Sequence, residues 1–254
     1  MRTFLREVAT RGTAAIGRGQ CIEHYGPGEA YLPVLEAVGR LARTPRGNLL
    51  VEWMKQYLPT WLVQMPTLLN PTALQEVQRK VQGATQERML REMSEGLEVL
   101  TEQIPFILVL EDLHWSDVST LDLLSSLAQR TEPARLLIIG TYRPADVLTV
   151  KHPLSGVVQE LQVHRQCHSL ILPTLPLSVV SMYLETRFPR SLLPTRFAQE
   201  LYAHTEGNPL FLVAILDDLV AHNVLIMIDG SWSLQVAIEE IRAIIPRLSH
   251  RNPT

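Results

Sequence analysis

Apolar residues along this chain fall into short continuous runs and longer stretches with helical spacing. Residues 105–110 (PFILVL) and 134–142 (ARLLIIGTY) are continuous apolar runs, which are typical of strands buried on both faces. Residues 118–130, between the two runs, have helical spacing, and a shorter run at residues 168–172 (HSLIL) is predicted to be a further strand. Strands that alternate with helices predict a mostly parallel sheet, and therefore an α/β fold.

The segment before these strands is predicted to be mostly helical. Residues 3–11 and 29–44 each have one apolar face at helical spacing, and a short extended run at residues 13–21 separates them. Residues 49–70 are apolar and aromatic and are predicted to form helices interrupted by Pro59 and Pro66. Residues 72–102 predict a long helical stretch with a break at a glycine in its first half.

The pattern changes near residue 174. Three helical stretches follow, separated by proline or glycine, and an Asp-Gly pair within residues 229–234 predicts a small hairpin. We therefore expect an α/β part over residues 1–173, a helical part over residues 174–228, and the start of a further segment over residues 229–254.

Composition and charge exclude several classes of protein. Hydrophobic residues make up 46% of the chain and charged residues 19%, as in folded globular proteins. The net charge of −3 gives no indication of a nucleic-acid or membrane partner, and the sequence shows neither a signal peptide nor a long apolar span. Cys21 and Cys167 form no CxxC pair, so neither a disulfide framework nor a zinc site is predicted, which favours a cytoplasmic protein.

Two adjacent carboxylates follow the first apolar run. Glu111 and Asp112 are expected at the carboxyl-terminal end of a strand, where parallel sheets bind their ligands. Hydrolysis of a nucleoside triphosphate needs a carboxylate that holds magnesium and a group that orients the attacking water, and this pair suits both tasks. The alternative is that the acids only cap the following helix, a role that Ser116 and Asp117 also suit.

Three weaker patterns accompany the carboxylates. Arg143 should project from the same edge of the sheet and could contact a terminal phosphate, although a solvated arginine before a turn is the alternative. Gly207, Asn208 and Pro209 suit a junction between two helices, and that structural role explains them completely. His114 suggests a metal ligand, but no other histidine lies at ligand spacing.

Together these motifs resemble those of the STAND-type AAA ATPases, in particular the origin-recognition-like ATPase module of bacterial signalling proteins. The motifs are RGQCIEHYGPGEAYLPVLEAVGRL (residues 18–41), FILVLEDLHWSD (106–117), GTYRP (140–144) and EGNPLF (206–211), and the resemblance spans residues 3–245. It implies a P-loop NTPase-like parallel sheet followed by an all-helical lid, and then the start of a third, winged-helix-like segment.

The resemblance also implies a role for each matching residue. Glu111 takes the Walker B magnesium position, where many relatives have aspartate, and Asp112 takes the neighbouring catalytic acid position. Arg143 takes the sensor position after the next strand, and residues 207–209 take the lid motif that faces the nucleotide base. ATP and Mg²⁺ are the implied cofactors.

One part of the family pattern is absent from these 254 residues. The family begins with a strand, a GxxxxGK[ST] loop and a helix, whereas MRTFLREVATR at residues 1–11 resembles the end of that helix. Lys55, Lys80 and Lys151 all lie outside glycine-rich loops. Because the loop supplies most of the grip on the phosphates, we expect a fragment without the first strand and P-loop, inactive alone as an ATPase.

Three functional hypotheses stay open. The first is a degenerate ATPase switch from a bacterial signalling or transcription regulator, which would bind ATP or ADP weakly and work with the effector and helical-repeat domains of its parent protein. The second is a nucleotide-independent scaffold. The third is an unrelated α/β enzyme in which Glu111, Asp112 and His114 converge in one pocket. Since the missing strand is expected to be central, we also expect open strand edges and marginal stability.

Overall fold

A parallel sheet organises the first part of the chain. The computed structural model describes residues 1–23, 28–45, 47–130, 132–238 and 240–241. The strands of the sheet are β1 (Ala15–Gln20), β2 (Phe106–Glu111) and β3 (Leu136–Gly140). They pair in the order β1-β2-β3 and run parallel, so their carboxyl-terminal ends lie at one edge. The predicted α/β class with a P-loop NTPase-like parallel sheet is confirmed.

Helices surround this sheet. The helices are α1 (Arg2–Arg11), α2 (Leu32–Ala42), α3 (Gly47–Tyr57), α4 (Pro59–Leu62), α5 (Pro71–Lys80), α6 (Gln86–Gln103), α7 (Val118–Ala128), α8 (Pro144–Thr149) and α9 (Leu154–Val163). Short 3₁₀ turns lie at Pro66–Leu68 and Leu113–Trp115. The apolar pattern does not predict α8 and α9. The first is too short to show a helical period, and the second contains Gly156 and three valines, which are poor helix formers.

The central strand explains why its sequence is a continuous apolar run. Phe106, Leu108 and Leu110 point into the larger core, which they share with α2 and other helices. Ile107 and Val109 point to the opposite face, where they pack with Leu5 of α1. Both faces of β2 are therefore covered, so no position along it needs a polar side chain until Glu111 at its end.

The predicted strand at residues 168–172 is wrong. These residues, all within the described part of the chain, have no regular structure. The side chains of Leu170, Ile171 and Leu172 are 84–85% exposed. A run of apolar residues forms a strand only where a neighbouring edge accepts its backbone hydrogen bonds, and composition alone does not reveal such an edge.

The chain divides into two compact units, Met1–His168 and Ser169–Thr254. The elements of the second unit are α10 (Leu177–Arg187), α11 (Thr195–Thr205), α12 (Pro209–Ala221), β4 (Leu225–Ile228) and β5 (Ser231–Leu234). The two strands form an antiparallel hairpin whose turn is the predicted Asp-Gly pair, Asp229 and Gly230, with φ angles of 50° and 78°.

The roles assigned to the later segments stay predictions. The three predicted helices lie within residues 174–228, but whether they form a nucleotide lid is open. Residues 242–254, half of the predicted third segment, lie outside the described residues, as do residues 24–27 of the resembling stretch. None of the described helices has both the length and the apolar composition needed to cross a membrane.

Candidate functional site

Several polar residues of the first unit lie at one edge of the sheet, at the carboxyl-terminal ends of β1, β2 and β3. Gln20 and Glu111 are the last residues of β1 and β2, and Arg143 follows β3 by three positions. The segments beyond the strands are joined as well. The Cys21 N–H donates to the Glu111 carbonyl at 2.9 Å, and the Thr141 N–H donates to the carbonyl of Leu110 at 3.0 Å. The backbone hydrogen bonding between the strands therefore continues one residue beyond β1 and one residue beyond β3.

Glu111 faces an arginine on the neighbouring strand. Arg18 Nη2 lies 3.3 Å and 3.4 Å from the two carboxylate oxygens of Glu111. The two side chains share a face because Gln20, two residues after Arg18, is the register partner of Glu111. Both side chains are partly exposed, so this ion pair contributes at most about 1 kcal/mol to stability. The ion pair matters for the site itself, because it holds the positive charge of Arg18 beside the Glu111 carboxylate.

Asp112 is held by both neighbouring strands. Its Oδ2 accepts a hydrogen bond from Gln20 Nε2 at 3.1 Å, and its backbone N–H donates to Thr141 Oγ1 at 3.2 Å. The residue adopts a left-handed backbone conformation, with φ 61° and ψ 44°. That conformation is uncommon for any residue except glycine, although aspartate tolerates it better than most. Such backbone strain occurs often at functional sites.

The helix cap belongs to a different acid. Asp117 is the N-cap residue of α7, and its side chain accepts from the Thr120 N–H at 2.9 Å and from the Tyr31 N–H at 3.2 Å. Ser116 Oγ instead donates to the Leu113 carbonyl at 2.7 Å. Because Asp117 supplies the cap, Glu111 and Asp112 are not needed for that structural role.

Arg143 is open to solvent, whereas the histidine beside it is buried. The Arg143 side chain is 74% exposed, and the His114 side chain is 1% exposed. The Arg143 backbone N–H donates to His114 Nδ1 at 3.4 Å, which ties the turn after β3 to the turn after β2. The long side chain of Arg143 therefore starts from a fixed backbone position and can reach an anion at this edge.

The geometry does not support a metal or enzyme site centred on His114. Among the described residues, no group of three or more His, Cys, Asp or Glu side chains could hold a metal ion. His114 lines a cavity of about 250 Å³ together with Cys21 and His152, but Glu111 and Asp112 are not among its lining residues. The third hypothesis required all three residues to converge in one pocket.

The thiol in this cavity is not a nucleophile at neutral pH. The pKa of Cys21 is raised to about 12, mainly by burial and then by the carboxylates of Asp117, Asp112 and Glu36 in that order. The reactive form of cysteine is the thiolate, which this environment suppresses.

Residues 207–209 form a helix junction in the second unit. The Asn208 side chain accepts from the Leu210 N–H at 3.0 Å, and Pro209 is the first residue of α12. Gly207 has φ 73°, and a Cβ atom there would lie 2.0 Å from the carbonyl oxygen of Leu175. The structural explanation of this motif therefore holds, and its role at the nucleotide base stays a prediction.

A family model described as an AAA ATPase domain matches residues 1–139, more than half of the chain. The chain belongs to the AAA ATPase domain family. A comparison with curated proteins finds no match. The matched part of this AAA ATPase domain contains Glu111 and Asp112 and ends just before Arg143.

Proteins of the AAA ATPase family generally use ATP and Mg²⁺. The acids at the strand end of this AAA ATPase domain can be compared with the ligands that Mg²⁺ requires. Magnesium is bound through one or two carboxylates together with phosphate oxygens and water. Glu111 and Asp112 supply such oxygens from consecutive residues at the strand end, so the type of donor fits. Arg18 already neutralises Glu111, however, and would have to share or release that carboxylate when magnesium binds.

Sequence reasoning missed Arg18 and Gln20. The signal that could have found them is the alternation along β1, where two small residues, Gly17 and Gly19, alternate with the polar pair. In a strand beside β2, this alternation places Arg18 and Gln20 on one face, two positions apart and next to Glu111.

Proposed function

We propose that this chain is the ATP-binding switch module of a cytoplasmic, bacterial signalling or transcription-regulatory protein of the STAND type. The observation that carries the proposal is the position of Asp112. It is held between Gln20 of β1 and Thr141 after β3, and it directly follows Glu111. Its carboxylate bonds to one neighbouring strand and its backbone N–H bonds to the residue just beyond the other, so Asp112 can transmit the occupancy of the site to both.

Each residue at this edge has a distinct role in the proposal. Glu111 holds magnesium, which neutralises charge on the phosphates when bound. Asp112 orients the attacking water, and its bond to Gln20 restrains that carboxylate until nucleotide binds. Arg143 contacts the terminal phosphate, a task that suits an exposed guanidinium on a fixed backbone.

We infer that ATP binding and hydrolysis by these 254 residues alone are weak. The sequence contains no GxxxxGK[ST] segment, which in P-loop ATPases supplies a lysine and a backbone cradle for the phosphates. Catalysis of phosphoryl transfer consists mostly of positioning and electrostatic stabilisation, so the missing donors should lower the rate by orders of magnitude.

The experiment is a titration of the purified chain with ATP in the presence of Mg²⁺, followed by calorimetry or by protection against thermal unfolding. We expect weak, magnesium-dependent binding that Asp112→Asn and Glu111→Gln each reduce further. Glu76→Gln, an exposed acid on α5, is the matched control and should bind as the parent chain does. Binding that is equally strong in all four proteins would overturn the assignment of this edge as the nucleotide site.

A second candidate function is a nucleotide-independent interaction module. In the second unit, large apolar side chains at the start of α12 and on β4 are exposed, namely Leu210, Phe211, Met227 and Ile228. Large apolar side chains that are exposed in this way are candidate contacts for a protein partner. This candidate is favoured if ATP does not bind and if Phe211→Ser, but not Asp112→Asn, abolishes regulation in the cell.

A further inference from the structure

One carboxylate on α8 lies between the buried histidine and the exposed arginine. Asp146 Oδ2 is 3.4 Å from His114 Nε2 and 3.9 Å from Arg143 Nη1. His114 belongs to the turn that follows Glu111 and Asp112, and Arg143 immediately precedes α8. The three side chains therefore connect the carboxylate turn to the residue proposed to contact phosphate.

The hydrogen bonds of the histidine fix the position of its proton. Nδ1 accepts from the Arg143 backbone N–H, so it carries no hydrogen, and the proton of the neutral ring is on Nε2. That Nε2–H is buried, and within the described residues no acceptor completes a hydrogen bond to it. Asp146 is close enough to become the acceptor after a small movement.

We propose that His114 and Arg143 compete for Asp146, and that this competition transmits the state of Arg143 to the turn after Asp112. While the guanidinium lies beside Asp146, the carboxylate is shared and the bond to Nε2–H stays incomplete. When an anion draws Arg143 away, the Asp146 carboxylate accepts a complete hydrogen bond from Nε2–H, which is strong because the acceptor is charged. Only the identity of that anion, a terminal phosphate, rests on the proposed function.

The competition can be tested without nucleotide, by solution NMR of the full chain with ¹⁵N-labelled histidine rings. The parent chain should show His114 as the Nε2–H tautomer. In Arg143→Gln the exchange of this proton with water should slow by about tenfold or more, the effect of gaining one hydrogen bond to a charged group. Asp146→Asn should remove the response of this exchange to the Arg143 substitution.

Two results would overturn the inference. The first is an Nδ1–H tautomer in the parent chain, and the second is unchanged exchange in Arg143→Gln. Arg79→Gln, an exposed arginine on α5, is the matched control and should leave the His114 signals unchanged. Since the Arg143 side chain is mostly solvated, its replacement should not unfold the protein, and circular dichroism verifies this. Failure of ATP to bind would refute the proposed function but leave these measurements valid.

Discussion

Replacing Gly19 with alanine should separate the helix α2 from the sheet. Gly19 lies in β1 on the face that packs against α2, and the two elements approach so closely that no side chain fits between them. A Cβ atom at this position would lie 1.7 Å from the carbonyl oxygen of Pro33, whereas real contacts of this kind are not shorter than about 3.0 Å. The obstacle is backbone, so no side-chain rotation relieves the clash.

The expected cost is therefore at the upper end of the range for overpacking. Inserting a methyl group into a well-packed core typically costs about 1–3 kcal/mol, and a rigid backbone neighbour leaves no cheaper adjustment. Moving α2 also loosens the buried packing of Val34, Leu35 and Ala37. We expect a loss of about 3 kcal/mol in the free energy of unfolding, a large part of the roughly 5–15 kcal/mol typical of a domain.

Urea denaturation followed by tryptophan fluorescence measures this loss as a lower midpoint. Gly156→Ala is the matched control, because it adds the same methyl group on α9 where no atom lies within 4 Å. That substitution should be neutral or stabilise the protein by up to about 1 kcal/mol, since alanine is the better helix former. If Gly19→Ala has the same midpoint as the parent chain, the close approach of α2 to β1 is wrong.

Three further predictions concern other parts of the chain. Gly207→Ala should destabilise the second unit more than Gly230→Ala does. Both glycines have positive φ angles, but only Gly207 faces a backbone oxygen. Equal urea midpoints for the two variants would contradict this prediction. Between pH 9.0 and about 12 the free energy of unfolding should fall, because the Cys21 thiol ionises in the unfolded chain but not in the folded one. Cys21→Ala should reduce this fall and Cys167→Ala should not. Within the described residues β3 pairs only with β2, and Leu137 on β3 is 45% exposed. Leu137→Lys should therefore reduce self-association of the chain in sedimentation experiments. An unchanged monomer fraction would refute the open edge of β3 as the cause of self-association.

The elements that the sequence predicted are those whose burial has a single cause. Residues of β2 are apolar without interruption because helices cover both faces, so the strand can be predicted from its composition. The cap at Asp117 and the Asp-Gly turn at residues 229–230 are equally local, since each motif satisfies backbone groups within a few positions. Such features need no knowledge of distant partners.

The features that the sequence did not predict depend on neighbours far along the chain. Arg18 and Gln20 become site residues only because β1 pairs with β2, whose residues lie about ninety positions later. Residues 168–172 resemble a strand by composition, yet they are exposed because no edge pairs with them in the described structure. His114 could be named from the sequence, but its connection to Asp146 depends on α8, which the pattern does not reveal.

The packing of α2 and the geometry of the carboxylates are linked through one short series of contacts. Because Gly19 has no side chain, α2 lies close enough for Glu36 to accept the Gln20 backbone N–H at 2.8 Å. With its backbone fixed in this way, Gln20 can hold Asp112 through its side-chain amide, while Thr141 holds the same residue from the other side. The orientation of the proposed catalytic acid therefore depends on a glycine and a glutamine whose residue types suggest no catalytic role. It also follows that a displacement of α2, whether by mutation or by a bound partner, would reach Asp112 through Gln20.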